Sequence, residues 1–227
     1  ERHNAVRKEK NIFENCIKTY NLLKQLNLSN VSPNVSITVS EENCSFMQEI
    51  FYYLVNDCNI KSIKCCLVRD EGVYKTAPEK KQKILDAYSW LTNKIKEYQK
   101  KKIINNYNNS IQGKIHNKKD KISWEMVKRI YKTNDYISPC HASSLFGVIT
   151  SDGKVYPCEI LEDKLIGNLR DYEMNFMKLW NNDKNKDVKK FIKETKCRCT
   201  YECALSFNIL GNMRYQHQLL QEVMSIY

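Results

Sequence analysis

The sequence predicts an α/β protein in two parts, a partial parallel sheet or barrel followed by a small α+β domain with a β-hairpin. Three observations support this prediction. Helical and strand-like patterns alternate through the first part of the chain, which is the order of parallel βαβ units. A hairpin pattern surrounds residues 151–153. Five of the ten cysteines lie after residue 139, which marks a second region of different chemistry.

Composition indicates a protein that buries a core. The chain has 227 residues, of which 42% are hydrophobic and 11% aromatic, and this excludes wholesale disorder. No apolar run approaches the roughly 18 residues of a membrane-spanning helix, so we expect no membrane partner. The first residues are charged and lead into no apolar segment, so we expect no signal peptide and a cytoplasmic protein.

The formal net charge of +11 does not by itself indicate a nucleic-acid partner. Lys supplies most of the 37 basic residues and is spread along the chain, whereas phosphate recognition favours Arg and a concentrated basic stripe. We therefore expect no nucleic-acid binding. The alternative hypothesis, that the Lys residues bind nucleic acid, predicts that the affinity for nucleic acid falls steeply as the salt concentration rises.

A helix and a strand open the first part. Apolar residues recur three and four positions apart over 11–27, which predicts an amphipathic helix, and Ser32-Pro33-Asn34 then breaks the chain. Over 35–39, side chains alternate in polarity and four of the five are β-branched, so we predict a strand. We expect Asn43 to cap a helix over 46–55.

A second strand and a long helix complete this part. The apolar run over 63–68 has the length of a strand, and Asp70-Glu71-Gly72 predicts a turn after it. Thr76-Ala77-Pro78-Glu79 has the spacing of a capping box and opens a helix that extends to residue 98. Two parallel strands cannot cover both their faces and leave open edges, so we expect part of a larger sheet or barrel.

A polar segment follows. Residues 100–121 have almost no apolar content and no periodicity, which predicts a linker with a short helix at 124–131. The predicted domains are therefore 1–104 and 136–227, joined by a linker over 105–135.

The last part begins with the hairpin. Strand-like residues flank Ser151-Asp152-Gly153, where Gly takes the positive φ of the turn. The segment 167–169 precedes a helix through 174–180, and a second short helix over 186–195 leads to a cysteine-rich segment.

The cysteines form two groups. We interpret those of the first part, which lie in apolar patterns, as small buried side chains: Cys16, Cys44, Cys58, Cys65 and Cys66. The others form the patterns C-x12-G-x4-C and C-x-C-x3-C and are candidate metal ligands: Cys140, Cys158, Cys197, Cys199 and Cys203. Thiolates suit an iron–sulfur cluster or zinc, and four suffice for either, so at least one of these five is spare. The absence of a C-x2-C pair weakens the zinc interpretation without removing it.

These motifs resemble those of a known family. The run Asp152-Gly153-Lys154-Val155-Tyr156-Pro157-Cys158, together with Cys140, Gly167-Asn168-Leu169, Leu179-Trp180 and the last three cysteines, resembles the SPASM/Twitch extension of radical S-adenosylmethionine (radical SAM) enzymes. Five cysteines rather than seven are closer to the shorter Twitch form, which holds one auxiliary 4Fe–4S cluster. The resemblance implies that Cys140, Cys158, Cys199 and Cys203 are its ligands, with Cys197 as the alternative to Cys199.

The resemblance extends upstream. Glu1-Arg2-His3-Asn4-x2-Arg7 is similar to the segment after the fourth barrel strand of these enzymes, which implies the C-terminal half of a radical SAM partial barrel. Ser36 and Thr38 would then face the lumen, and Arg69 would lie at a strand end, so all three are candidate contacts to S-adenosylmethionine or substrate. For Arg69 a solvated strand-end position is the alternative. The family's C-x3-C-x2-C loop has no counterpart in this sequence, so we expect no cleavage of S-adenosylmethionine by these residues alone.

The resemblance therefore implies part of an enzyme that matures a peptide or protein or oxidises a small molecule. Its partners would be that substrate and a redox donor such as a flavodoxin or ferredoxin. The alternative is a non-enzymatic zinc or iron–sulfur module that transfers electrons or binds a peptide. The identity of the bound metal and the affinity for S-adenosylmethionine distinguish these hypotheses.

Overall fold

A computed structural model describes residues 2–29, 31–69 and 76–224. The chain divides into two compact units, Glu1–Asn109 and Ser110–Tyr227. The predicted turn Asp70-Glu71-Gly72 and the first residue of the upstream motif, Glu1, lie outside the described residues. No helix in the described ranges is both long enough and apolar enough to cross a membrane.

The first unit follows the predicted order of helices and strands, preceded by a short helix that the sequence does not predict. Its elements are α1 (Arg2–Arg7), α2 (Ile12–Leu26), β1 (Val35–Val39), α3 (Met47–Tyr52), β2 (Ile63–Leu67) and α4 (Pro78–Lys100). A 3-10 turn (Cys44–Phe46) precedes α3, and a π-helical turn (Tyr53–Asp57) follows it.

Strands β1 and β2 form a two-stranded parallel sheet, which confirms the predicted parallel pairing. Val35 lies opposite Ile63, and Val39 lies opposite Leu67. The side chains of alternate residues are buried on one face, including Ile37, Val39, Ile63, Cys65 and Leu67. The opposite face carries the polar residues of β1 and is open to solvent within this unit.

The core of the first unit lies between this sheet and α4. Ile84, Tyr88, Leu91 and Ile95 are spaced by one helical turn and are fully buried on one face of α4. Phe51 of α3 is also fully buried and meets the Tyr98 ring edge to face, with 5.1 Å between the ring centroids. Burial of each such side chain stabilises the fold by about 1.5–3 kcal/mol.

Two predicted helix caps are wrong. The side chain of Asn43 accepts a hydrogen bond from the Ser40 N–H at 3.0 Å and donates to the Thr38 carbonyl at 2.7 Å, so it closes the turn after β1. It does not cap the helical turn that follows. Helix α4 begins at Pro78 with Ala77 in the cap position, because Pro at the first helical position already has the φ of a helix.

In the second unit, α5 (Ile111–Thr133) replaces most of the predicted linker. Ser110 caps this helix by accepting a hydrogen bond from the Gly113 N–H at 3.1 Å. The predicted helix at 124–131 is therefore too short, and the predicted lack of regular structure is wrong for 111–121. Its buried side chains, with Trp124, Val127 and Tyr131 among them, lie in its second half. In 111–122 only Gly113 is buried and apolar residues are few, so this half carries no periodicity that predicts a helix. The predicted domain limits at 104 and 136 stay predictions.

A small antiparallel sheet follows, in the order β3 (Val148–Ile149), β4 (Lys154–Tyr156), β5 (Gly167–Asn168). The predicted hairpin is confirmed, and Gly153 has a φ of 87° in its turn. Strand β5 was not predicted as a strand, because two residues give no alternating pattern.

The remaining helices are α6 (Phe176–Trp180), α7 (Asp183–Glu194), α8 (Glu202–Leu210) and α9 (Met213–Met224). The first two confirm the helices predicted over 174–180 and 186–195. Val155, Ile166, Leu179 and Ile192 form a buried cluster that joins the sheet to α6 and α7, and the Cys158 side chain belongs to this cluster.

Candidate metal centre

The five candidate ligands come from separate elements of the second unit. Cys140 lies in the loop before β3, and Cys158 lies just after β4. Cys197 and Cys199 follow the end of α7, and Cys203 lies in the first turn of α8. The cysteines described here form no disulfide bonds with one another.

One of these thiols, that of Cys197, interacts with three of the others. The Cys197 thiol donates a hydrogen bond to the Cys140 sulfur, and it also interacts electrostatically with Cys199 and Cys158. Cys158 is 7% exposed within the buried cluster, and the side chains of Cys140 and Cys197 pack against that cluster. The hairpin therefore carries Cys158 to the same place as the loop of Cys140 and the segment after α7.

The proximity of the thiols has a clear electrostatic consequence. The Cys197 hydrogen bond, aided by the Ala142 N–H and the Asn208 side chain, lowers the pKa of Cys140 to about 7 against the penalty of burial. The same hydrogen bond to Cys140 and burial raise the pKa of Cys197 far above its usual range. Two adjacent thiolates repel each other. Ionisation of several of these thiols together therefore requires a bound cation that balances their negative charge.

Cys203 differs from the other four. Its side chain is exposed, and it contacts the hydroxyl of Tyr201. Burial raises the pKa of Tyr201, and the hydrogen bonds of its hydroxyl to Glu159 and Cys203 add to this effect. The sequence pattern alone does not distinguish Cys203 from Cys199, whereas their environments differ.

The loop that carries Cys140 is held by three Asn side chains that sequence reasoning missed. Asn208 accepts a hydrogen bond from the His141 N–H at 2.8 Å, and Asn212 donates to the Ser138 hydroxyl at 3.1 Å. Asn185 is fully buried, accepts a hydrogen bond from the Ser143 hydroxyl and donates to the Ser143 carbonyl. A buried Asn leaves no signal in a hydrophobic pattern, so only the structure identifies this support.

The donor set fits a metal or an iron–sulfur cluster by its chemistry. All four neighbouring side chains offer sulfur, which is the ligand of both iron–sulfur clusters and structural zinc. Within the described ranges, no three His, Cys, Asp or Glu side chains are already drawn together around a single point. Ligation therefore requires the thiols to turn toward a common centre.

Comparison with known protein families identifies the region. Residues 136–204 match the family model of SPASM, described as an iron–sulfur cluster-binding domain. This segment is a SPASM-type domain. It contains all five candidate ligands, so the predicted resemblance is confirmed at the level of an iron–sulfur domain. Neither the curated proteins nor the solved structures include a match to the chain.

The candidate cofactor contacts of the first unit lie on or after its strands. Ser36 and Thr38 are exposed on the same face of β1, as predicted, and Arg69 is half-buried two residues after β2. Thr38 Oγ1 lies 3.2 Å from the Cys66 sulfur, and Ser36 Oγ lies 3.9 Å from it.

Cys65 is 5% exposed, which confirms the predicted burial, but the prediction for Cys66 is wrong. The alternation of β2 places Cys66 on the open face of the sheet, where it is half-buried. The same prediction is wrong for Cys16, which is exposed, and for Cys44 and Cys58, which are half-buried.

Proposed function

We propose that this chain is part of a radical SAM enzyme whose SPASM-type domain binds an auxiliary 4Fe–4S cluster. The observation that carries the proposal is the grouping of four cysteines within the segment that matches an iron–sulfur domain. The low pKa of Cys140 supports it further, because a thiolate is the form that binds iron.

The ligands we propose are Cys140, Cys158, Cys197 and Cys199. The interactions of Cys197 with the other three thiols support this set, and the exposed position of Cys203 beside Tyr201 supports a different role for that residue. The set differs from the one that the family resemblance implied, in which Cys203 was a ligand.

When bound, the cluster supplies electron transfer or a site for substrate binding. The residues of this chain hold it: the hairpin positions Cys158, and the Asn side chains fix the loop of Cys140. The substrate is a peptide or a small molecule, and a flavodoxin or ferredoxin is the redox donor. In the complete enzyme, Ser36, Thr38 and Arg69 would contribute to the S-adenosylmethionine or substrate site.

One observation favours a second candidate function. The 227 residues contain no C-x3-C-x2-C motif, the sequence that binds the radical-generating cluster in the family. The second candidate is a zinc or iron–sulfur module that transfers electrons or binds a peptide without S-adenosylmethionine chemistry.

Metal analysis of a matched pair of variants tests the proposal. The full chain and its Cys158→Ser and Cys65→Ser variants are purified without oxygen and analysed for iron, acid-labile sulfide and zinc. We expect Cys158→Ser to lose the iron and sulfide and Cys65→Ser to retain both, since Cys65 is buried in the other unit. Zinc without sulfide in the wild-type chain would favour the second candidate. Equal iron retention in both variants would contradict the proposed site.

A further inference from the structure

Asn208 is a buried polar residue that lies outside the matched iron–sulfur domain. It is on α8, four residues after the match ends at residue 204, and its side chain is 4% exposed. A buried amide stabilises a fold only when its donor and acceptor both find partners. The partners of this amide lie at the loop of Cys140.

The two ends of the Asn208 amide have different partners in that loop. Its oxygen accepts a hydrogen bond from the His141 N–H at 2.8 Å. Its nitrogen is then the end that donates to the Cys140 sulfur, which is one of the hydrogen bonds that this sulfur receives. A single planar group therefore fixes the backbone after Cys140 and directs an N–H at its sulfur.

We propose that Asn208 is a positioning residue for the cluster ligand Cys140 and that its N–H raises the reduction potential of the bound cluster. The inference rests on the proposed function, because it assigns Cys140 as a ligand. A hydrogen bond to a ligating sulfur withdraws electron density from the cluster. This lowers the free energy of the reduced cluster relative to the oxidised one, so the reduction potential rises. Burial strengthens the effect, because little water competes for the same sulfur.

Two substitutions separate the two parts of this role. Asn208→Asp keeps an oxygen that accepts from the His141 N–H and removes the donor to sulfur, but its negative charge also lowers the potential. Asn208→Leu has a similar volume and removes both hydrogen bonds without adding charge, so its potential reports the loss of the donor. The matched control is Asn212→Ala. Asn212 lies two residues after the end of α8, and its side-chain amide donates a hydrogen bond to the Ser138 hydroxyl and not to sulfur.

The first measurement is a redox titration of the full chain and these three variants, each reconstituted with iron and sulfide. We expect Asn208→Asp to retain the wild-type iron content and to have a lower midpoint potential. Asn208→Leu should have both a lower potential and a lower iron content, and Asn212→Ala should match the wild type in both. An unchanged potential in either Asn208 variant, an equal shift in Asn212→Ala, or loss of iron from folded Asn208→Asp would overturn the proposal.

The second measurement uses the metal-free full chain and does not depend on a cluster. Hydrogen exchange of the His141 amide reports the bond to the Asn208 oxygen directly. We expect about fivefold faster exchange in Asn208→Leu, since a buried hydrogen bond contributes about 1 kcal/mol, and little change in Asn208→Asp. Equal exchange in all variants would overturn the positioning role. Absence of iron and sulfide from the wild-type chain would instead contradict the proposed function, so the two failures are distinguishable.

Discussion

Cys197 donates a hydrogen bond to the sulfur of Cys140, although one residue follows α7 and the other precedes β3. This contact joins the beginning and the end of the SPASM-type domain. It also gives the two thiols different pKa values: the pKa of Cys140 is lowered, so it ionises readily, and the pKa of Cys197 is raised, so its ionisation is strongly opposed. Chemical reactivity in the metal-free protein therefore reports the geometry of the site.

The pH dependence of alkylation tests this inequality. In the metal-free chain, the rate of Cys140 alkylation should rise with pH to a midpoint near pH 7 and level off about one to two pH units higher, because its pKa is lowered to about 7 and the thiolate is the nucleophile. Cys197→Ala removes the donor to the thiolate, so the midpoint should move to higher pH. The rates are measured by mass spectrometry of Cys140 peptides, and a midpoint that does not move in Cys197→Ala would contradict the contact.

Individual cysteine substitutions test the ligand set. Cys197→Ser and Cys199→Ser should each reduce the iron and sulfide content strongly, whereas Cys203→Ser should leave it close to wild type. The reason is that Cys203 is exposed beside Tyr201 and the other two belong to the thiol group. The opposite pattern, with iron lost from Cys203→Ser and kept in Cys197→Ser, would restore the set that the family resemblance implied.

The hairpin turn that precedes Cys158 depends on Gly153. Its φ of 87° is strained for other residues, and a Cβ at this position would lie 2.8 Å from the Asn168 side-chain oxygen. Gly153→Ala should therefore lower the free energy of unfolding by about 1–3 kcal/mol in a denaturant titration. Ser151→Ala is the control, since Ser151 is exposed in the same turn and its substitution should change the free energy of unfolding by no more than about 0.5 kcal/mol. Equal stability of the two variants would refute the role of the turn.

The sequence predicted those features that depend on local patterns. The alternation over 35–39 and the apolar run over 63–68 indicated the parallel strands β1 and β2. Gly153 indicated the hairpin, and the cysteine spacing indicated an iron–sulfur domain. In each case a few neighbouring residues carry the physical constraint, so the local sequence is sufficient to predict the feature.

Other features depend on partners that are distant in sequence. The first half of helix α5 has no sequence signal, because its residues are mostly polar and only Gly113 is buried before Ser123. Cys66 was misplaced because only the register of β2 decides which face of the sheet it occupies. The support of Cys140 by Asn208 requires the return of α8 to the loop before β3, and no local pattern encodes that contact.

The central claim is that this chain binds one 4Fe–4S cluster in its SPASM-type domain. The most direct measurement is low-temperature electron paramagnetic resonance of the anaerobically reconstituted full chain before and after reduction with dithionite, with iron and sulfide assayed on the same sample. We predict about four irons and about four sulfides per chain and a signal that appears only on reduction, as expected for a cluster with four thiolate ligands. A chain that takes up zinc, or iron without sulfide, and gives no such signal would contradict the claim.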